Sequence, residues 1–164
     1  MNSKLREIVF VRCEEPKEDY AHRYGSIIIQ WFDCKKKVDV IFERDDNKLP
    51  PSDTQMNAFI SFIKNEKEFF TELPAKLFKY FENERSVSPL DKEVIAELFP
   101  QIRNPMELKN LVGIPYIVVS YFDGQGFLDY IGLGMSCHWE EEHGLGVKIE
   151  KNQVTEIGYQ DIIL

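Results

Sequence analysis

At 164 residues the chain suits one domain, long enough to bury about 70% of the surface its unfolded form exposes. Apolar residues make up 43% and charged residues 29%, which is ordinary for a globular protein and too apolar for disorder. The formal net charge is −8. From Val112 onward eight Asp or Glu stand against only Lys148 and Lys151. Nucleic-acid binding by counterion release needs clustered Lys and Arg, so this acidic balance counts against DNA or RNA as a partner and suits a basic protein or a cation.

The N-terminal residues 1–7 have no apolar run of signal-peptide length, and no window approaches a membrane span, so a cytoplasmic protein is expected. Cys13, Cys34 and Cys137 are too few and too scattered for a disulfide framework or a zinc knuckle. They read as small, reduced, mostly buried residues.

The first predicted strands are Ile8-Val9-Phe10-Val11, the β-branched and aromatic run 26–32, and 38–42. Residues 33–37, which include Lys35, Lys36 and Lys37, read as a solvated loop of hairpin length. Leu49-Pro50-Pro51 ends the strand region, and Ser52 or Asp53 can cap a helix. From there Met56, Phe59, Ile60, Ile63, Phe70, Leu73, Leu77 and Phe81 recur at three- and four-residue spacing, the stripe of an amphipathic helix on a core. Pro74 predicts a kink or a break into two helices. The same stripe could instead line an aromatic pocket at Phe59, Phe70 or Phe78.

Ser88-Pro89-Leu90-Asp91 opens a short helix with Val94, Ile95, Leu98 and Phe99 inward. Asn104-Pro105 begins another helix, a brief one that ends near Leu111-Val112-Gly113. Residues 116–122 are strongly strand-forming, and Asp123-Gly124-Gln125-Gly126 is a tight turn. The next strand runs from Phe127 toward Trp139, with Gly132 and Gly134 marking a bulge or a close backbone approach. Residues 147–150 and 154–157 flank Lys151-Asn152-Gln153 as a hairpin.

Strands, then helices, then strands imply an α+β fold: a mostly antiparallel sheet from N- and C-terminal strand groups, with a central helical segment on one face. No repeat or flexible linker interrupts residues 1–164, which read as a single domain. Whether the two strand groups share one sheet is left open by the pattern.

The densest chemistry lies in Cys137-His138-Trp139-Glu140-Glu141-Glu142-His143-Gly144. A strand continued to Glu142 sends His138, Glu140 and Glu142 to one face and Cys137, Trp139 and Glu141 to the other, with His143-Gly144 as the turn. Trp139 is then expected to bury against the helices. His138, Glu142 and His143 have suitable chemistry for zinc or iron in a metal-assisted hydrolase, although the two histidines are five apart and match no helical metal motif. A His–Glu pair also suits acid–base catalysis, but no nucleophile motif accompanies it. The third reading is an acidic recognition surface for a basic protein, formed by Trp139, Glu140, Glu141, Glu142 and His143, with no cofactor. The fourth is a solvated turn.

The run Cys137-x-Trp139-Glu140-x-Glu142-His143-Gly144-Leu145-Gly146-Val147, followed by Glu156-Ile157-Gly158-Tyr159-Gln160-Asp161, resembles a bacterial family of uncharacterised domains. The C-terminal forty residues carry most of the resemblance. It implies that Trp139, Glu142, His143, Gly144 and Gly146 belong to a family signature. Such families are frequent around toxin–immunity loci, so the resemblance implies a non-enzymatic, immunity-type inhibitor.

Overall fold

The computed structural model describes residues 22–43, 51–121 and 130–163. The strand read at residues 8–11 and the turn read at residues 123–126 lie outside them. Strands β1 (His22–Trp31) and β2 (Cys34–Glu43) pair antiparallel in unbroken register from His22↔Glu43 to Trp31↔Cys34. Only Phe32 and Asp33 remain for the turn, with Phe32 at φ 50°. The lysine triplet is therefore in β2, opposite Gln30, Ile29 and Ile28, and not in the loop expected for it. The two-residue turn carries pairing up to Cys34, and the aliphatic stems of the lysines suit a strand surface. Ile27, Ile29 and Trp31 of β1 and Val38, Val40 and Phe42 of β2 alternate inward.

Helix α1 (Asp53–Val87) starts at Ser52, which forms a reciprocal capping box with Gln55. Its buried apolar face comprises Phe59, Phe62, Ile63, Phe69, Phe70, Leu73, Leu77 and Phe81, while Met56 and Ile60 are only half-buried. The break expected at Pro74 does not occur: one helix of 35 residues runs through it, with Pro74 buried. A proline here leaves the Phe70 carbonyl without its helical donor, a cost of about 3 kcal/mol or more. Burial of Phe70, Leu73, Leu77 and Phe81 around it, each contributing about 1.5–3 kcal/mol, offsets that cost. No described helix is long and apolar enough to cross a membrane.

Helix α2 (Lys92–Leu98) half-buries Ile95 and Leu98 and is followed by buried Phe99. Val94, expected inward, is 40% exposed. A 3-10 turn at Pro105–Asn110 is capped by the Asn104 side chain, which accepts from the Met106 N–H at 3.0 Å. Strand β3 (Tyr116–Val119) then lies parallel to β2, with Val40↔Ile117, Ile41↔Val118 and Phe42↔Val119. Strands β4 (Ile131–Cys137), β5 (Glu140–Glu150) and β6 (Gln153–Gly158) follow as an antiparallel meander. The strand order is β1-β2-β3-β4-β5-β6. The two sequence groups thus share one sheet, joined at its single parallel pair among the described strands. The fold is α+β, as the element order implied.

Gln55 holds that junction. It is 1% exposed, and its Nε2 donates to the carbonyls of Glu43 at 2.7 Å and Val119 at 3.2 Å, the last residues of β2 and β3. Its Oε1 accepts from the Ser52 N–H at 3.0 Å. One side chain thus satisfies two strand-end carbonyls and one of the amide groups at the start of α1 that have no helical partner.

The face away from the helices is closed differently. A C-terminal 3-10 turn (Gln160–Ile163) packs there, with Ile163 fully buried. A Cβ at Gly132 would meet the Ile163 Cβ at 2.7 Å, and one at Gly146 would meet the Tyr159 carbonyl oxygen at 2.7 Å. Gly132 therefore marks the close approach read from sequence. The irregularity in β4 falls later, between Met135 and Cys137.

Replacing Gln55 by Leu keeps the volume and removes every hydrogen bond that the Gln55 side chain makes at the junction. The variant is predicted to lose about 3 kcal/mol in chemical denaturation, from two orphaned carbonyls and one cap. A loss below about 0.5 kcal/mol would contradict this role.

Candidate functional site

Strand β4 stops at Cys137 because its far end is clamped. The Trp139 ring sits 5.1 Å from Phe81 of α1, edge to face, and 6.3 Å from Phe99, stacked. The His138 N–H donates to the Leu111 carbonyl at 2.8 Å, and the Gly113 N–H donates to that of Ser136 at 2.8 Å. His138 and Trp139 are therefore the turn, and Cys137 pairs directly with Glu140. This corrects the expectation that the strand continues to Glu142 and turns at His143-Gly144. Trp139 and Cys137 do bury, whereas Glu141 stays exposed.

The next pair in the ladder is Met135↔Leu145. Glu141, Glu142, His143 and Gly144 therefore stand opposite one residue, Ser136, and the surplus chain bulges outward. Gly144 makes the return possible: its φ is +63°, and a Cβ there would lie 2.9 Å from the Met135 carbonyl oxygen.

Glu140 braces the bulge. Its carboxylate accepts from the His143 backbone N–H at 3.2 Å and lies 2.9 Å from His143 Nδ1. The His143 imidazole stacks on Tyr159 with centroids 5.2 Å apart. The hydrogen bond to Glu140 raises the His143 pKa above the ordinary imidazole value, and the negative charges of Glu140, Glu142 and Asp161 add to the rise. Glu141 and Glu142 are exposed and form no hydrogen bond or ion pair with any described residue.

The chemistry around this corner is restrained. Burial pushes the Cys137 thiol up to about 12, so it stays protonated at neutral pH and is a poor nucleophile. Burial does the same to the Tyr80 phenol, also at about 12. His138 faces solvent on a separate partner, its Nε2 3.1 Å from the Glu97 carbonyl oxygen. His138 and His143 thus point to different elements. No three His, Cys, Asp or Glu side chains converge as a metal-ion site among the described residues. Of the cysteines expected to be mostly buried, Cys137 is buried, Cys34 is exposed and Cys13 lies outside the described residues. Phe59 and Phe70 are packed in the core beside Phe42 and Trp31, and Phe78 packs half-buried against it.

Tyr159 and Asp161 join the site without having been singled out. The register carries the signal: Gly146↔Gly158 brings the residues after Gly158 beside the start of β5. Both also lie in the run that carries the family resemblance.

Fold and site together define a small α+β domain whose one sheet projects a braced, carboxylate-bearing bulge. The chain belongs to the family described as a domain of unknown function, DUF6985, whose model matches residues 11–164. The match therefore extends well beyond the C-terminal forty residues. Neither the curated proteins nor the solved structures contain a match to the chain.

The Glu140–His143 pair makes a pH prediction. A raised folded-state pKa means the pair's contribution is present below the ordinary imidazole value of about 6.5 and is lost as pH rises through the folded value. In an NMR titration, His143 of the native protein should titrate above His143 of the Glu140→Gln variant. Identical midpoints would show that the bond does not hold in solution.

Proposed function

We propose that this chain is a non-enzymatic protein-binding module, and that the bulge is the surface it presents to a basic partner. The observation that carries the reading is the division of labour among neighbouring carboxylates. Glu140 is hydrogen-bonded to His143, whereas Glu141 and Glu142 are exposed on the same braced segment and form no hydrogen bond or ion pair with any described residue. Charges held on a pre-organised surface lose little freedom on binding and steer a basic partner toward it. Tyr159, 47% exposed beside His143, adds aromatic area suited to an arginine side chain. Trp139 supports the surface from below and does not anchor the partner directly, because it is 8% exposed.

An immunity-type inhibitor is the specific form of this proposal: a module that covers a basic face of a toxin domain and needs no chemistry of its own. The protonated Cys137 thiol and the separate engagement of His138 and His143 are consistent with binding without catalysis.

Affinity capture from the source cells tests the proposal, comparing the native chain with Glu141→Lys/Glu142→Lys. A control of equal net charge, Glu68→Lys/Glu72→Lys, alters the exposed side of α1. The native chain and the control should retain a basic protein that the bulge variant loses. Association of that protein with the bulge variant at low salt should be slower by about tenfold or more. Equal retention and equal rates for all three would overturn the assignment.

A further inference from the structure

At the opposite end of the sheet, a cleft of about 340 Å³ opens between the first turns of α1 and the β5–β6 turn. That is about eleven times the ~30 Å³ share of a liquid water, a volume suited to a small molecule. Its floor is apolar, formed by Ala58, Ile131 and Ile149, and its rim carries Asn57, Lys151 and Asn152. An apolar floor with a few convergent polar groups is the usual make-up of a ligand site.

Three observations say what the cleft would take. First, its walls are tied together: Asn152 Nδ2 donates to the Ser61 hydroxyl of α1 at 3.0 Å. The turn itself is a tight one with Lys151 and Asn152 both at positive φ, 51° and 64°. Second, the side chains of Asn57 and Lys151 form no hydrogen bond or ion pair with any described residue, so their donors are uncommitted. Third, in a chain of net charge −8 the lining residues supply one ammonium and no carboxylate.

We propose that this cleft binds a small organic carboxylate with a short apolar body. The carboxylate would pair with Lys151 Nζ, a hydrogen-bonding group of the ligand with Asn57, and the apolar body would cover Ile131 and Ile149. A phosphate ester would want more positive charge than one ammonium supplies. The site is independent of the acidic bulge: the stretch of β5 from Leu145 to the turn at Lys151 separates them by on the order of 20 Å.

The test uses the whole chain, isotopically labelled, titrated with N-acetyl-leucine and with its neutral analogue N-acetyl-leucinamide while backbone amides are followed by NMR. The acid should give saturable shifts at residues 57–61 and 149–152, and the amide should bind at least about tenfold more weakly. Lys151→Asn removes the charge, and asparagine tolerates the left-handed backbone there, so the variant should keep its spectrum elsewhere and lose the preference for the acid. Equal binding of acid and amide would overturn the proposal. So would an acid preference that survives Lys151→Asn, or no saturable shift at those amides with tens of millimolar acid.

Discussion

The buried amide of Gln55 joins three pieces of chain that are far apart in sequence: the end of β2, the end of β3 and the first turn of α1. Pairing β2 with β3 in parallel requires the chain to cross from one end of the sheet to the other, and α1 makes most of that crossing. Each of these strands ends at a carbonyl that accepts from the Gln55 side chain, which is itself 1% exposed. A buried carbonyl left unpaired costs about 1–3 kcal/mol, so a single amide that serves two of them and caps the helix fixes the crossover. Burial nearby also pushes the Glu43 carboxyl up, against the opposing bond from the Tyr121 N–H. With the crossover fixed, the N-terminal hairpin and the C-terminal meander become one surface.

On that surface the decisive event is a mismatch of length between β4 and β5. The aromatic clamp on Trp139 forces an early turn, and four residues must then be accommodated opposite Ser136. The chain resolves this by sending Glu141 and Glu142 outward, spending Glu140 on His143, and returning through glycine at Gly144. The glycines and carboxylates of this segment therefore have separate explanations. Gly144 and Gly146 are required by backbone geometry and by the packing of the C-terminal turn. Glu141 and Glu142 have no architectural task that the structure reveals, which is why the functional proposal rests on them.

Much of the fold was legible because it rests on local chemistry. The Ser52 cap, the stripe from Phe59 to Phe81, the Asn104 cap and the hairpin at Lys151-Asn152 are all short-range signals, and each appears where the residues place it. Where the structure departs from the local pattern, pairing and packing overrode a local preference. Pro74 sits in an unbroken helix because Phe70, Leu73, Leu77 and Phe81, on the same face, are buried. Lys35, Lys36 and Lys37 lie in a strand because the two-residue turn ahead of them leaves no loop to occupy. The turn between β4 and β5 falls five residues earlier than the local pattern implies, because Phe81, Phe99 and Leu111, distant in sequence, hold His138 and Trp139 at the corner. The same distance hid the place of Tyr159 and Asp161 in the site: the run that carries the resemblance contains both, but strand register is what brings them beside the start of β5.

One continuous sheet holds the bulge as a fixed platform. Native-state amide hydrogen exchange on the unmodified protein tests this most directly. The slowest amides of β2, β3, β4 and β5 should share one opening free energy, and the His143 amide, bonded to Glu140, should be protected well above its exposed neighbours Glu141 and Glu142. Separate opening energies for the N-terminal hairpin and the C-terminal meander, or a His143 amide exchanging as fast as an unstructured chain, would contradict it.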